Sequence, residues 1–243
     1  MDFYIGLHQL ALAKHFDRCF ISVNRLRQRL SDFRVDRWIL DSGAFSELNL
    51  HGHYRYPPSE YAALVNRWGN CGTMEMAVTQ DYMCEPFILA KTGLTIAEHQ
   101  RLTIERYDIL LRLVDVPLMP VLQGYTPDDY RRHLDSYGDR ISLGARIGVG
   151  SICKRNNAPK EIVAVLAGIK KDRHDLRLHG FGLKLTALTN TYILSMLYSA
   201  DSMAWSYAAR RQGKNANGLK EAQAFHDAVG SRQGTKAHQM VMC

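Results

Sequence analysis

Four strand-like segments of the sequence each run into an acidic or amide side chain. WILDSG leads to Asp41, AVTQD to Asp81, PVLQG to Gln123 and YSADS to Asp201. A lone aspartate after a strand is commonly a turn residue or a helix cap. Three acids and a glutamine at the ends of separate strands instead favour one shared site. Like-charged carboxylates repel each other when they lie close together, and a protein usually tolerates that cost only where the carboxylates take part in a reaction.

Two carboxylates that face one centre suit a displacement at an anomeric carbon. One acts as the nucleophile and forms an ester with the sugar, while the other moves a proton, and in retaining transfer the two groups lie ~5 Å apart. The sequence contains no Ser-His pairing or metal motif that points to a different reaction. A third carboxylate and a glutamine can read the donor and acceptor edges of a purine-like base.

Other polar residues near strand ends allow a structural or a functional interpretation. We interpret His179, in LRLHGFG, as a hydrogen-bonded structural imidazole rather than a catalyst. Gly148 and Gly150 of IGVGS can bring backbone amides close to a planar ligand or a phosphate. Lys154 and Arg155 follow this loop, where they either contact phosphate or lie on a solvated surface.

The strand-like segments alternate with amphipathic helical segments, which indicates a parallel α/β sheet. Eight strands in 243 residues favour a closed (β/α)8 barrel of the TIM type, whose strand ends converge on one mouth. No Pro/Gly/Ser-rich linker or repeat divides the chain, so we predict one domain over residues 1–243. The predicted strands are 3–7, 19–23, 38–42, 76–81, 118–124, 141–150, 176–182 and 197–203.

Helix start signals lie between several of these strands. Pro57-Pro58-Ser59 opens one helix, Thr95 with Glu98 forms a capping box, and Thr126-Pro127 with Asp129 opens a third. Asn157 precedes another apolar helical stripe. Residues 219–229 are predicted to form a C-terminal helix, followed by a polar tail to residue 243.

The composition favours a soluble protein of a reducing compartment. There are 31 basic and 24 acidic residues, a net charge of +7 that is compatible with nucleic acid but does not require it. Five scattered cysteines argue against a disulfide framework or a local zinc site. Neither a secretory signal nor an apolar run of the ~20 residues that a bilayer needs is present, so we expect a cytoplasmic location and no membrane contact.

The ordered motifs resemble those of the tRNA-guanine transglycosylase superfamily, and most closely its DNA-acting branch, the deazapurine DNA modification transglycosylases of phages and bacteria. WILDSGAFS is similar to the family's LDSGGF motif, and AVTQDYMCEP and PVLQG are similar to its base-recognition segments. SLGARIGVGS resembles its glycine-rich base-binding loop, and SADSMAWSYAARR the segment that begins with its nucleophile. The likeness spans roughly residues 37–212.

The resemblance implies a role for each matching residue. Asp201 corresponds to the nucleophile that attacks C1′ and Asp41 to the acid/base, while Asp81 and Gln123 correspond to residues that bind the base. The loop implies further base contacts, and the last motif implies contacts with nucleic acid. The residues concerned are Gly148, Val149 and Gly150 for the base, and Arg210 and Arg211, besides Lys154 and Arg155, for nucleic acid.

Two departures separate the chain from the tRNA-acting enzymes. Those enzymes carry a zinc site of three closely spaced cysteines and a histidine, whereas here Cys153 is followed by no cysteine until Cys243. The chain is also short for a tRNA enzyme. Both features favour the DNA branch, without the zinc-binding insertion and with no bound metal. Ala145 and Arg146 stand where tRNA enzymes often have glycine, so which amide contacts the base is open.

The resemblance therefore predicts exchange of guanine in DNA for a free 7-deazaguanine, such as the 7-cyano or 7-aminomethyl form, through a covalent aspartyl-deoxyribosyl intermediate. Such a pentosyltransferase needs no cofactor. Its partners would be guanine-containing DNA and the free base, with an oligomer possible, and a phage-encoded enzyme would act in the host cytoplasm to protect DNA from restriction. The alternatives are a tRNA-guanine transglycosylase, a base-removing hydrolase and a non-catalytic nucleic-acid-binding paralogue.

Overall fold

Nine short strands form one parallel sheet in the computed structural model, which describes residues 1–155 and 158–240, with side chains up to residue 231. The strands follow the order β5-β4-β3-β2-β1-β9-β8-β7-β6, and every registered pair is parallel. Their bounds are β1 Asp2–Gly6, β2 Arg18–Ser22, β3 Arg37–Asp41, β4 Thr73–Val78, β5 Leu118–Met119, β6 Val121–Leu122, β7 Arg146–Val149, β8 Arg177–Gly180 and β9 Leu197–Ser202.

The two strands at the ends of this order, β5 and β6, are halves of one interrupted strand around Pro120. Proline has no amide hydrogen to donate, so the regular ladder breaks there. The Pro120 carbonyl still accepts a hydrogen bond from the Gly148 amide at 2.8 Å. The nine strands therefore occupy eight positions of a nearly closed barrel, which confirms the predicted TIM-type α/β fold.

Helices surround the sheet: α1 Ala44–His51, α2 Pro58–Trp68, α3 Pro86–Thr92, α4 Ile96–Leu110, α5 Pro127–Tyr137, α6 Pro159–Asp172, α7 Leu185–Leu188, α8 Thr191–Met196, α9 Ala204–Arg211 and α10 Leu219–Met240. Both predicted capping boxes are present, at Thr95 with Glu98 and at Thr126 with Asp129. In the described part of the chain, no helix is long and apolar enough to span a membrane.

Several predicted boundaries are wrong. The strand expected over 141–150 is confined to Arg146–Val149, because the chain turns at Gly144, where φ is +69°. The strand expected over 76–81 ends at Val78, so Asp81 lies in the following loop. The C-terminal helix continues past residue 229 to Met240. Asn157 and residues 241–243 lie outside the described residues.

Alternation along the strands separates two apolar layers. In β1, Phe3 and Ile5 pack against the helices, whereas Tyr4 points into the barrel beside Ile39 and Val78. This period of two is what a barrel with a filled interior requires. The interior below the mouth is thus filled by side chains, which leaves the carboxyl ends of the strands as the place where a ligand can bind.

Candidate functional site

A cavity of about 240 Å³ opens at the carboxyl ends of the strands. Its lining includes all four side chains expected at strand ends, which are Asp41 from β3, Asp81 after β4, Gln123 after β6 and Asp201 from β9. Aromatic rings of Phe20, Phe45 and Phe181 supply apolar walls. Three carboxylates, an amide and aromatic surfaces therefore face one space, a combination suited to a flat polar ligand.

Asp201 is 5% exposed and is held by two groups from the neighbouring β8 region. The Gly182 amide donates to its Oδ1 at 3.1 Å, and Nε2 of the fully buried His179 lies 3.3 Å from the same oxygen. Burial raises the pKa of Asp201 to about 7. The carboxylate is therefore fixed in position and can exist in either protonation state near neutral pH.

Asp41 is the most exposed of the three acids. Burial of its carboxyl raises its pKa to about 6, a hydrogen bond with Ser22 lowers it, and the charge of Asp201 raises it further. The chain turns away immediately afterwards at Gly43, where φ is +76° and a Cβ would meet Nδ2 of Asn24 at 2.6 Å. Only glycine fits this turn, which leaves the Asp41 side chain at the mouth.

Asp81 and Gln123 form the opposite wall of the cavity. The Gln123 amide nitrogen donates to Oδ2 of Asp81, and its Oε1 lies 2.7 Å from the Ser151 hydroxyl. That hydroxyl also contacts Glu85 at 2.8 Å. Burial raises the pKa of Asp81 to about 7, partly offset by the bond from Gln123. The wall presents donors and acceptors whose orientation is set by a buried network.

The structure corrects the expected role of the glycine-rich loop. The amides of Gly148 and Gly150 donate to the carbonyls of Pro120 at 2.8 Å and Leu122 at 2.9 Å, so neither is available to a base. Val149 packs in the outer core, and of the three only Gly150 lines the cavity. The glycines instead make room, since a Cβ on Gly150 would lie 2.1 Å from the Gln123 amide nitrogen.

The four cations expected to contact nucleic acid lie on two sides of the mouth. Lys154 Nζ lies 5.0 Å from the ring centre of Phe45, which is 42% exposed at the cavity. Arg155 stacks over Tyr125 at 4.5 Å. Arg210 and Arg211 are exposed in the last turn of α9. The four cations therefore form two pairs, Lys154 with Arg155 and Arg210 with Arg211.

Two sets of residues escaped prediction from the sequence. One is a polar chain inside the barrel, in which Arg146, Ser199 and Glu75 continue from His179 away from the cavity. The other is a cleft lined by four arginines, Arg25, Arg27, Arg29 and Arg55. For the polar chain, the available signal in the sequence was an arginine in the otherwise apolar strand RIGV. For the cleft, the signal was the arginine at every second position of RLRQR.

Comparison with protein families gives a match over nearly the whole chain. The model of the family DpdA, "DeoxyPurine in DNA protein A", matches residues 1–223. No curated protein matches the chain significantly. The matched range contains every residue of the site described above.

Proposed function

The chain belongs to the DpdA family of DNA-modifying transglycosylases, and on that premise we propose that it replaces guanine in DNA by a free 7-deazaguanine through a covalent intermediate on Asp201. The observation that carries this proposal is the convergence of Asp41, Asp81 and Asp201 on one cavity. Each has a pKa raised by burial, which is typical of reactive rather than structural carboxyl groups.

The target deoxyguanosine has to leave the base stack before it can react. Asp201 and Asp81 are only 5% and 6% exposed, so neither can reach a paired nucleotide. Turning the nucleotide out costs a few kcal/mol, which stacking in a snug pocket offsets. The walls formed by Phe20, Phe45 and Phe181 supply such a surface.

In the first half-reaction an oxygen of the Asp201 carboxylate attacks C1′ of the deoxyribose. The bond between C1′ and N9 breaks, its electron pair goes to the purine, and the protonated Asp41, or a water beside it, supplies the proton that guanine carries away. The product is an ester between Asp201 and the deoxyribose. Guanine then diffuses out of the cavity.

In the second half-reaction a free 7-deazaguanine occupies the same space. The ionised Asp41 removes the proton from its N9, the nitrogen attacks C1′, and the Asp201 carboxylate leaves with its electron pair. Configuration at C1′ is retained because it is inverted twice. One glycosidic bond replaces another, so the exchange needs neither a nucleoside triphosphate nor a redox cofactor.

The cycle requires one proton on the pair Asp41 and Asp201 at its start. Two neighbouring buried acids share a proton near neutral pH and titrate as a pair. The raised pKa values of Asp41, about 6, and of Asp201, about 7, allow the pair to hold one proton near neutral pH, and attack proceeds from the state in which Asp201 is ionised and Asp41 carries that proton. Asp81 and Gln123 would bind the edges of the incoming base.

Phosphates on either side of the target nucleotide would contact the cations at the mouth. Lys154 and Arg155 lie on the side of Phe45 and Tyr125, and Arg210 and Arg211 on the side of α9. Such contacts position the strand without reading its sequence. We assign the four residues to this role.

Incubation with guanine-containing DNA and radiolabelled 7-cyano- and 7-aminomethyl-7-deazaguanine tests the proposal. We expect label in DNA, guanine released in equal amount, and no label in tRNA offered in parallel. Label in tRNA alone would replace the DNA assignment by the tRNA one. Abasic DNA without label would identify a hydrolase, and inactivity on both with intact DNA binding would identify a binding paralogue.

A further inference from the structure

The loops that follow β1, β2 and β3 build a cleft of about 880 Å³ beside the mouth. Four arginines line it, whereas Glu47 is its only acidic lining residue in the described chain. Helix α1 joins the two spaces, since Ala44 and Phe45 face the cavity while Ser46 and Glu47 face the cleft. A strand whose nucleotide enters the cavity therefore passes close to the cleft.

Not all of this positive charge is neutralised within the protein. Arg55 pairs with Glu47 and Arg27 with Glu60, each at 2.8 Å. Among the described residues, no carboxylate pairs with Arg25 or Arg29, and the buried Nη2 of Arg27 has no hydrogen-bond partner. Guanidinium groups with unused donors are suited to phosphate oxygens.

A second observation extends the basic surface to α9. Burial lowers the pKa of His8 in the cleft, and the charges of Arg25 and Arg210 lower it further. Arg210 is therefore close enough to His8 for its charge to act on that ring.

We propose that this arginine cleft binds the phosphodiester backbone of the DNA strand flanking the target nucleotide. The proposal rests on the proposed function, because it assumes that DNA is the substrate. Arg25 and Arg29 each neutralise a phosphate. The sequence of the flank is not read there, since the contacts go to phosphate alone.

The test compares Arg25→Ala/Arg29→Ala with Arg101→Ala/Arg132→Ala, which removes the same charge from the outer helices α4 and α5. DNA affinity is measured by fluorescence anisotropy across a series of salt concentrations. We expect the slope of log K against log[salt] to fall by about 0.7 to 0.9 for each lost contact in the cleft variant only.

Equal slopes for the two variants would overturn the cleft assignment. If the wild-type enzyme still incorporates the labelled base, that outcome leaves the proposed function standing. Absence of DNA binding and of base incorporation by the wild type would overturn both.

A different observation, the polar chain below the cavity, carries a second inference. Nε2 of His179 lies 3.3 Å from Oδ1 of Asp201, and its Nδ1 lies 2.9 Å from the Ser199 hydroxyl. Ser199 Oγ accepts from Nε and Nη2 of Arg146 at 3.1 and 2.9 Å. Arg146 in turn pairs with Glu75 at 3.1 Å.

The number of hydrogens available along the polar chain determines which ring nitrogen of His179 carries the hydrogen. A guanidinium only donates, so Arg146 uses both lone pairs of the Ser199 oxygen. The single hydroxyl hydrogen is left for Nδ1 of His179, which must accept it. The ring hydrogen therefore sits on Nε2 and points at Asp201. Burial and the charge of Arg146 hold the pKa of His179 well below its ordinary value, so the ring is neutral.

We infer that His179 is a positioning residue that holds Oδ1 of Asp201 and leaves the other carboxylate oxygen, Oδ2, to attack C1′. The Gly182 amide binds the same Oδ1, so two donors fix one oxygen. Arg146 and Ser199 act through His179 by setting its tautomer. This inference rests on the proposed role of Asp201.

Three variants separate positioning from a structural role. His179→Leu removes the donor, His179→Gln keeps a donor near the position of Nε2, and Ser199→Ala releases the tautomer. We expect His179→Leu to slow formation of the covalent adduct roughly 100-fold with unchanged KM for the free base, and His179→Gln to recover much of that loss. His99→Leu, at another fully buried histidine, is the matched control.

Nitrogen NMR of the ring adds a readout independent of activity, and it stays decisive if the leucine variant fails to fold. We expect wild-type His179 to show hydrogen on Nε2 alone and Ser199→Ala to show a mixture. Hydrogen on Nδ1 in the wild type, or equal adduct rates for His179→Leu and His99→Leu, would overturn the inference. Base incorporation by the wild type would then still support the proposed function.

Discussion

Acidic side chains lie at two levels of the barrel, a lower level below the cavity and an upper level at its mouth, and only at the lower level is an acid paired with an arginine. Below the cavity, Glu75 forms an ion pair with Arg146, which also stacks over Tyr4 at 5.0 Å. At the mouth, the ion pairs of the described chain leave Asp41, Asp81 and Asp201 without a lysine or arginine partner. The ion pair supports the scaffold, whereas the acids at the mouth have pKa values that burial raises, as the proposed proton transfer requires.

The largest effect is expected from a change at the proposed nucleophile of the upper level. Asp201→Asn removes the carboxylate to which we assign the attack while keeping its size, so base incorporation should fall by roughly 10⁴-fold or more. DNA affinity should change little, because phosphate contacts supply most of it. Steady-state incorporation and anisotropy measure the two quantities. Residual incorporation above a hundredth of the wild-type rate would assign the attack to another group.

Breaking the lower level should cost stability in addition to releasing the tautomer of His179. Arg146→Met leaves the partly buried Glu75 without its cation and the Ser199 oxygen without two donors, and we expect a loss of about 2–3 kcal/mol in the free energy of unfolding by urea denaturation. Arg131→Met, which breaks the surface pair with Asp172, should cost at most about 1 kcal/mol. Similar losses for both would refute a structural role for the lower level.

Removing an unpaired acid of the upper level should increase the free energy of unfolding, whereas Arg146→Met should decrease it. The folded pKa of Asp81, about 7, lies above its ordinary value of 3.8, so the folded state binds the proton more tightly. Stability is therefore lost as pH rises from about 4 to about 7. Asp81→Asn should gain stability over wild type between pH 5 and pH 8, on the order of 2–3 kcal/mol.

Asp175→Asn is the matched control for this comparison. The hydrogen bond from Arg173 holds the pKa of Asp175 below its ordinary value, so this carboxylate stabilises the fold at neutral pH. Its removal should lower stability at pH 8. Thermal unfolding at pH 5 and pH 8 measures both variants, and a pH-independent difference for Asp81→Asn would contradict the raised pKa.

The smallest expected effect concerns the wall that faces the base. In Gly150→Ala the new methyl group displaces the Gln123 amide, whose nitrogen would lie 2.1 Å away. We expect kcat/KM for the free base to fall roughly 10-fold, mainly through KM. Gly168→Ala in α6, where the nearest atom is 3.5 Å away, should leave kinetics unchanged and stabilise slightly. Equal kinetics for the two variants would exclude Gln123 from base binding.

The sequence predicted the upper level well and the lower level hardly at all. Asp41 and Asp201 could be placed because an apolar run that ends in an acid is a local pattern, and parallel strands bring such ends together. The interruption at Pro120 and the short helices α1 and α3 carry weaker local signals. They were missed, or merged into neighbouring segments.

The contacts that connect Asp201 to the polar chain below the cavity join residues far apart in the sequence. Arg146 and Glu75 are 71 positions apart, and their pairing follows from barrel closure rather than from any motif. The contacts of His179 also follow from barrel closure. We interpreted it as a structural histidine because the sequence does not reveal its neighbours. The arginine cleft likewise appears only when three separate loops are placed side by side.

Mapping the covalent intermediate tests the central claim most directly. Wild-type enzyme mixed with guanine-containing DNA and no free base should form an adduct that survives denaturation, and proteolysis with mass spectrometry should locate the deoxyribose on Asp201. Adding a 7-deazaguanine should discharge that adduct into modified DNA. An adduct on Asp41 or Asp81, or base exchange with no adduct at all, would contradict the account.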